Sequence, residues 1–283
     1  MRIGIIGAGK VGTALGCALM KKGFDVVAVA SRRAESLERA KAYVGKACVY
    51  TLDNREAVSM ADVVAVTTQD REIRHVAAQI FEADAAVEGK LFFHTSGAHA
   101  STELSPLEKK GALLGSLHPL QTFPDVDSGI AVLPETYIFI EGDEKALPVL
   151  QLLASSVGVD AVLIEKENKV LYHLSAVFVC NLLSALLYAG EGVMKRIGID
   201  LVPFYPIIRA TLKNIEARGP LQSLTGPVVR GDGETVRAHL GAMEGMTLHE
   251  RVYKSLSLVA LEMATARGAV TEEQIAALRR LLE

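Results

Sequence analysis

Cysteine is scarce in this sequence. Three occur in 283 residues, Cys17, Cys48 and Cys180, odd in number and far apart. That excludes a disulfide framework and any cysteine-based metal spacing, and it makes a reducing cytosol the expected compartment. A basic excess is also missing. Thirty Lys and Arg stand against 33 Asp and Glu, for a net charge of −3, which argues against a mainly electrostatic nucleic-acid binder. No clustering of metal ligands and no G-x-S-x-G elbow occurs, so metallohydrolase and serine-hydrolase readings gain no support, and no metal is expected. Glycines interrupt the opening apolar run at Gly4 and Gly7, where a signal peptide needs a longer apolar core. One stretch, Val170–Gly190, carries no formal charge and reaches the length of a membrane span. His173, Ser175, Asn181 and Ser184 within it would be costly in hydrocarbon, so we read it as a buried helix and expect no membrane partner.

Half of the residues are hydrophobic, which suffices for a sizeable core, and the length suggests about two domains. Up to residue 164, short β-prone runs alternate with helical periodicity. The strand candidates are Arg2–Ile6, Asp25–Ala30, Asp62–Thr67, Lys90–Thr95, Ala112–Leu117, Tyr137–Glu141 and Val159–Ile164. Helices are expected at Val11–Lys22, Arg33–Val44, Asp70–Phe81 (capped by Asp70) and Glu144–Val157. Such alternation implies a parallel sheet covered on both faces. From residue 165 the strand pattern stops. Lys166–Ile197, Val202–Glu216, Glu234–Met243, Met246–Arg267 and Thr271–Glu283 all read as helices, the last opening with a capping box. The expected class is an α/β dinucleotide-binding domain, 1–164, followed by an all-α domain, 165–283, for substrate and dimerisation.

Gly7-Ala8-Gly9-Lys10-Val11-Gly12 fits G-x-G-x-x-G and stands where that motif needs to stand, after a strand and opening a helix. Gly7 permits the tight turn, Gly9 the approach of a pyrophosphate and Gly12 close packing of helix on strand. The second strand ends in Ser31-Arg32-Arg33 with no acid. A hydroxyl and two guanidiniums suit a ribose 2′-phosphate, so the expected cofactor is NADP(H). Thr67-Thr68-Gln69 and His94-Thr95-Ser96-Gly97 follow two further strands and are expected near the nicotinamide half, since ligands sit beyond the carboxyl ends of such strands.

His118 ends another strand, and histidine is a common proton donor or acceptor. On the uncharged helix, His173, Val177, Asn181, Ser184, Tyr188 and Glu191 fall within about 80° of arc at about 100° per residue. That stripe faces either a cleft or a polar helix seam. Arg230, in the turn-rich loop Thr225–Asp232, suits a substrate carboxylate or belongs to a helix-cap loop. His118, His173, Asn181 and Ser96 are the catalytic candidates, and His94, Gly97 and Arg230 the substrate-binding ones.

The stretches Gly7–Gly12, His94–Gly97, Ser116–Pro119 with Thr122-Phe123, Tyr172-His173 through Asn181, and Thr225-Gly226-Pro227 with Arg230-Gly231-Asp232 together resemble the 6-phosphogluconate-dehydrogenase-like superfamily. Within it, they resemble a bacterial family of Rossmann-like proteins with a C-terminal domain of unknown function, regarded as NADP oxidoreductases. The resemblance implies a Rossmann domain, a helical dimerisation domain and hydride transfer at a small carbonyl, imine or hydroxy acid in the interdomain cleft. Pyrroline-5-carboxylate reductases share the architecture. β-Hydroxyacid dehydrogenases carry a lysine four residues before an asparagine; here Asn181 matches but Val177 stands at the lysine position, which leaves His173 on that face. Prephenate and arogenate dehydrogenases have His-Pro-Met where this chain has His118-Pro119-Leu120. The competing readings are an enzyme of that last kind and a regulator that binds NADP(H) without turnover. A cytoplasmic homodimer acting on a small molecule is expected.

Overall fold

The computed structural model describes residues 1–283. The chain divides into two compact units, Met1–Val177 and Phe178–Glu283. The division falls later than the 164/165 boundary expected from the sequence. The reason is local: residues 169–173 bond to strand ends of the first unit rather than starting the second.

The first unit alternates strand and helix: β1 Arg2–Ile6, α1 Lys10–Lys21, β2 Asp25–Ala30, α2 Ala34–Val44, β3 Val49–Thr51, α3 Asn54–Met60, β4 Val63–Val66, α4 Asp70–Glu82, β5 Leu91–His94, α5 Ser105–Glu108, β6 Leu113–Pro119, α6 Val126–Val132, β7 Tyr137–Gly142, α7 Leu147–Val157, β8 Asp160–Leu163 and α8 Lys169–Ala176. One eight-stranded sheet has the order β3-β2-β1-β4-β5-β6-β7-β8. All pairs are parallel except β6–β7, which is antiparallel. β3 and α3 were not foreseen; at three and seven residues they are too short for periodicity to speak.

The sheet is buried on both faces, as a parallel sheet must be. Side chains alternate across β1: Ile5 joins Leu15, Leu19 and Leu150 on one face, and Ile6 joins Val64, Ile73 and Phe92 on the other. Helix α4 shows why such segments pack as they do. Ile73, Val76, Ala77 and Ile80 recur at helical spacing and are all buried. Its N-cap is Gln69 without a side-chain bond; Asp70 lies one residue inside, in the first turn, rather than capping it.

The second unit is helical: α9 Leu182–Lys195, α10 Tyr205–Ser223, α11 Gly233–Ala242, α12 Thr247–Ala266 and α13 Glu272–Leu282. Its small core gathers Val228, Val236, Leu261, Leu278 and Leu282. α10 kinks where Gly219 takes φ 75° before Pro220. The foreseen capping box at Thr271 and Gln274 is present. A π-turn over Val177–Asn181 links α8 to α9. The stretch Lys166–Lys195 is long and apolar enough to cross a membrane, yet its most apolar 18-residue window holds no buried residue. The expectation of a buried helix is thereby corrected.

Candidate active site

The parallel strands β1, β4, β5 and β6 are neighbours, so their carboxyl ends share one sheet edge. At the β1 end, Gly7 takes φ +117°, a conformation L side chains rarely adopt. Its N–H donates to Ala30, and its carbonyl accepts from the Thr67 hydroxyl at 2.7 Å. A Cβ on Gly12 would collide with that same carbonyl and hydroxyl, whereas a Cβ on Gly9 would meet nothing within 4 Å. α1 opens at Lys10 with no side-chain cap and no acid in its first turn. The N–H groups of Lys10, Val11 and Gly12 thus lack helical partners, and the helix dipole presents its positive end there.

An open cleft of about 200 Å³ lies against this loop, lined by Gly7, Ala8, Gly9, Ser31, Arg32, Arg33, Thr67, Thr68 and Gln69 among others. The Thr68 hydroxyl is a buried polar atom with no partner. A free helix N-terminus, open space at Gly9 and an orphan hydroxyl fit a dinucleotide: the α1 amides would take its pyrophosphate. Lys10, Val11 and Gly12 shape the helix start rather than the cleft wall, and Thr67 serves the glycine loop as well as the wall.

Arg32 is three-quarters exposed and pairs with Glu72 at 3.0 Å, while the Arg33 N–H donates to Ser31 Oγ. An exposed pair of this kind is worth little, so Arg32 is free to turn to a phosphate. Glu72, His75 and Gln79 also line the cleft. They stand at i, i+3 and i+7 of α4, opposite its buried stripe, a polar periodicity that the sequence reading passed over.

Farther along the edge, β5 and β6 bring a second group together. The His118 Nδ1 and the Tyr172 hydroxyl are 2.7 Å apart, and Tyr172 stacks on Phe139 with ring centres 4.2 Å apart. The His118 and His173 rings meet edge-on at 6.3 Å. A Cβ on Gly97 would lie 2.9 Å from His118 Nε2 and 2.8 Å from His173 Nδ1, so both imidazoles pack directly on that glycine. His173 Nδ1 is buried without a partner. Burial, reinforced by the charge of Lys169, pushes the His118 pKa down to about 3. Burial pushes the Tyr172 phenol up. At neutral pH the pair is therefore a neutral imidazole beside a protonated phenol, and Nε2 gives or takes a hydrogen bond according to tautomer.

Two candidates change role. His94 is fully buried, its Nε2 on the Ala100 carbonyl at 2.9 Å and its Nδ1 accepting from the Ser96 N–H. Burial lowers its pKa to about 4. Both nitrogens are spent, so His94 shapes the loop rather than touching a substrate. Ser96 is also buried, its hydroxyl accepting from the His99 N–H and its carbonyl from Lys169. That too is a loop-forming role. Lys169 escaped the sequence reading, and Tyr172 entered it only as part of the family resemblance. Their signal was the run Lys169-x-x-Tyr172-His173, which places three polar groups on one face of a helical start.

Asn181 and Arg230 belong to the second unit, and the histidine group to the first. The expected polar stripe fails for a physical reason. The π-turn at Val177–Asn181 changes the angle per residue, so phasing from His173 does not carry past Val177. Ser184 turns its hydroxyl back to Cys180, and Tyr188 is exposed. In the Arg230 loop, Asp232 caps α11 by accepting from the Thr235 N–H and hydroxyl. The Arg230 carbonyl accepts from Gln274.

Two family models match, a Rossmann-like domain over residues 1–119 and a domain of unknown function, DUF2520, over 136–260. Residues 1–119 are thus a Rossmann-like domain and residues 136–260 a DUF2520 domain. Among solved structures it is similar to a Bacteroides fragilis protein assigned by inference as an NADP oxidoreductase, at 27% identity and TM-score 0.72, over 92% of this chain and 98% of that one. An imine reductase from Myxococcus stipitatus, solved with NADP⁺, shares the fold at 17% identity and TM-score 0.68, over the full length of both chains. So does a pyrroline-5-carboxylate reductase from Coxiella burnetii, at 16% identity and TM-score 0.57, over 99% of this chain and 97% of that one. No curated protein matches. The chain thus shares its fold with an imine reductase and a pyrroline-5-carboxylate reductase.

Proposed function

We propose that the chain is an NADP(H)-dependent oxidoreductase that reduces or forms a small carbonyl, imine or hydroxy acid in the cytoplasm. One observation carries the reading. A glycine-loop cleft and a histidine pair, one of whose nitrogens (His173 Nδ1) is buried without a partner, occupy the same carboxyl edge, about two strand spacings apart, or roughly 10 Å. When bound, the cofactor would supply or accept the hydride. Gly9, Thr68 and the α1 amides would hold its phosphates, and Ser31, Arg32 and Arg33 would select the 2′-phosphate over a bare ribose. His118 Nε2 handles the proton, with Tyr172 orienting the ring through Nδ1, and His173 Nδ1 supplies a second contact to the substrate. Asn181 and Arg230 remain candidates for orienting the substrate and binding an acidic group.

The test is calorimetric titration of the chain with NADPH and NADH in parallel, followed by NADPH oxidation with 2-oxo acids, ketones and cyclic imines. The expected result is preference for NADPH and turnover with one of these classes, lost in H118A. Tight NADPH binding without consumption across all classes would favour the regulator reading instead. Absence of binding would overturn both.

We also propose that the chain is a homodimer. Leu174, Phe178, Val179, Leu182 and Leu186 are all exposed, with Val179 at 74%. A run of this kind is far more apolar than the surface of a monomer tolerates, and a second copy would cover it.

A further inference from the structure

Lys169 is 1% exposed, yet its ammonium bonds only to oxygens without formal charge. It donates to the Ser96 carbonyl at 2.8 Å and to the Ser116 hydroxyl. Glu141 on β7 and Asp70 on α4 act on it from beyond ion-pair distance. A buried cation without a contacting counter-ion is expensive, and an apolar side chain of the same length would avoid the cost. Such placements concentrate where the charge has a use.

Two features show what that use is. Lys169, Tyr172 and His173 stand at i, i+3 and i+4 of α8 and so share one face. The Lys169 ammonium ties that face to the end of β5 at Ser96 and to β6 at Ser116, two residues before His118. Rotation and height of α8 are thereby set where Tyr172 meets His118 and His173 meets Gly97. The groups acting on His118 are Lys169, His173 and His94. His94 is held neutral by its burial, and after burial itself Lys169 is the strongest influence on His118.

We propose that Lys169 is a positioning residue: it clamps α8 onto β5 and β6, so that Tyr172 meets His118 and His173 meets Gly97 in one fixed geometry. The proposal rests on the histidine group being the reaction site. Burial lowers the Lys169 pKa to about 8, which leaves the clamp cationic at neutral pH.

The experiment compares K169M and K169R with the parent chain, ligand-free, by ¹⁵N NMR of the histidine rings at pH 7, where the Nδ1 and Nε2 shifts report the tautomer of His118 and its bond to Tyr172. In K169M the His118 Nδ1 signal moves as the Tyr172–His118 contact weakens. K169R keeps the parent spectrum. A folded K169M with the parent His118 spectrum would overturn the proposal. Should K169M not fold, S116A, which removes one of the two clamp bonds, decides. A shifted His118 Nδ1 signal supports the clamp, and an unchanged one overturns it. No nucleotide or substrate enters these measurements, so they stand apart from the oxidoreductase reading. Where turnover is found, K169M lowers kcat about tenfold or more and leaves NADPH affinity unchanged, because Lys169 is not part of the nucleotide cleft wall.

Discussion

Gly9 and Gly12 stand three residues apart in one loop and answer to different constraints, so alanine tells them apart. At Gly12 a methyl group strikes the Gly7 carbonyl and the Thr67 hydroxyl. G12A is expected to lower the melting temperature and to abolish nucleotide binding together. At Gly9 the methyl group meets nothing, so G9A is expected to melt like the parent and to lose NADPH in calorimetry. Arg32 and Arg33 give a third contrast. R32A/R33A is expected to weaken NADPH about tenfold or more, roughly 1.4 kcal/mol, while NADH affinity stays put. The glycines were legible in the sequence because the backbone geometry of such a loop leaves few alternatives. His94 was not. Its residue type suggested chemistry, and only the bonds to Ala100 and Ser96 show both ring nitrogens already used.

At the scale of elements, periodicity located every long helix and seven of the eight strands, and missed what periodicity cannot carry. β3 and α3 are too short, and the reversal at β6–β7 leaves no trace in a run of apolar residues. The π-turn at Val177–Asn181 misled the phasing of a whole helix, since no composition marks it. Caps were more readable. Asp232 satisfies the first turn of α11, and D232A is expected to cost about 1 kcal/mol in urea denaturation. The same substitution leaves NADPH binding intact, because Asp232 lies outside the nucleotide cleft.

At the scale of the whole molecule, buried neutral histidines make the fold acid-sensitive. His94 and His118 ordinarily titrate near 6.5 but are held to about 4 and about 3 in the folded chain. Between those values the unfolded chain binds more protons, so stability is retained above 6.5 and falls as pH drops below it. Denaturation at pH 7 and pH 5 is expected to differ by something on the order of 4 kcal/mol. The exposed apolar run of α8 and α9 sets a second expectation. Light scattering gives twice the 30.3 kDa chain mass, and V179E/L182E gives the single mass with loss of stability. The walls of the nucleotide cleft run from Ile6 to Gln79, whereas the histidine group is assembled from segments near residues 97, 118 and 172. Cofactor preference is therefore inherited as one continuous block of sequence, open to exchange between relatives in a single recombination. The reacting group, drawn from three separate places, changes only by coordinated substitution.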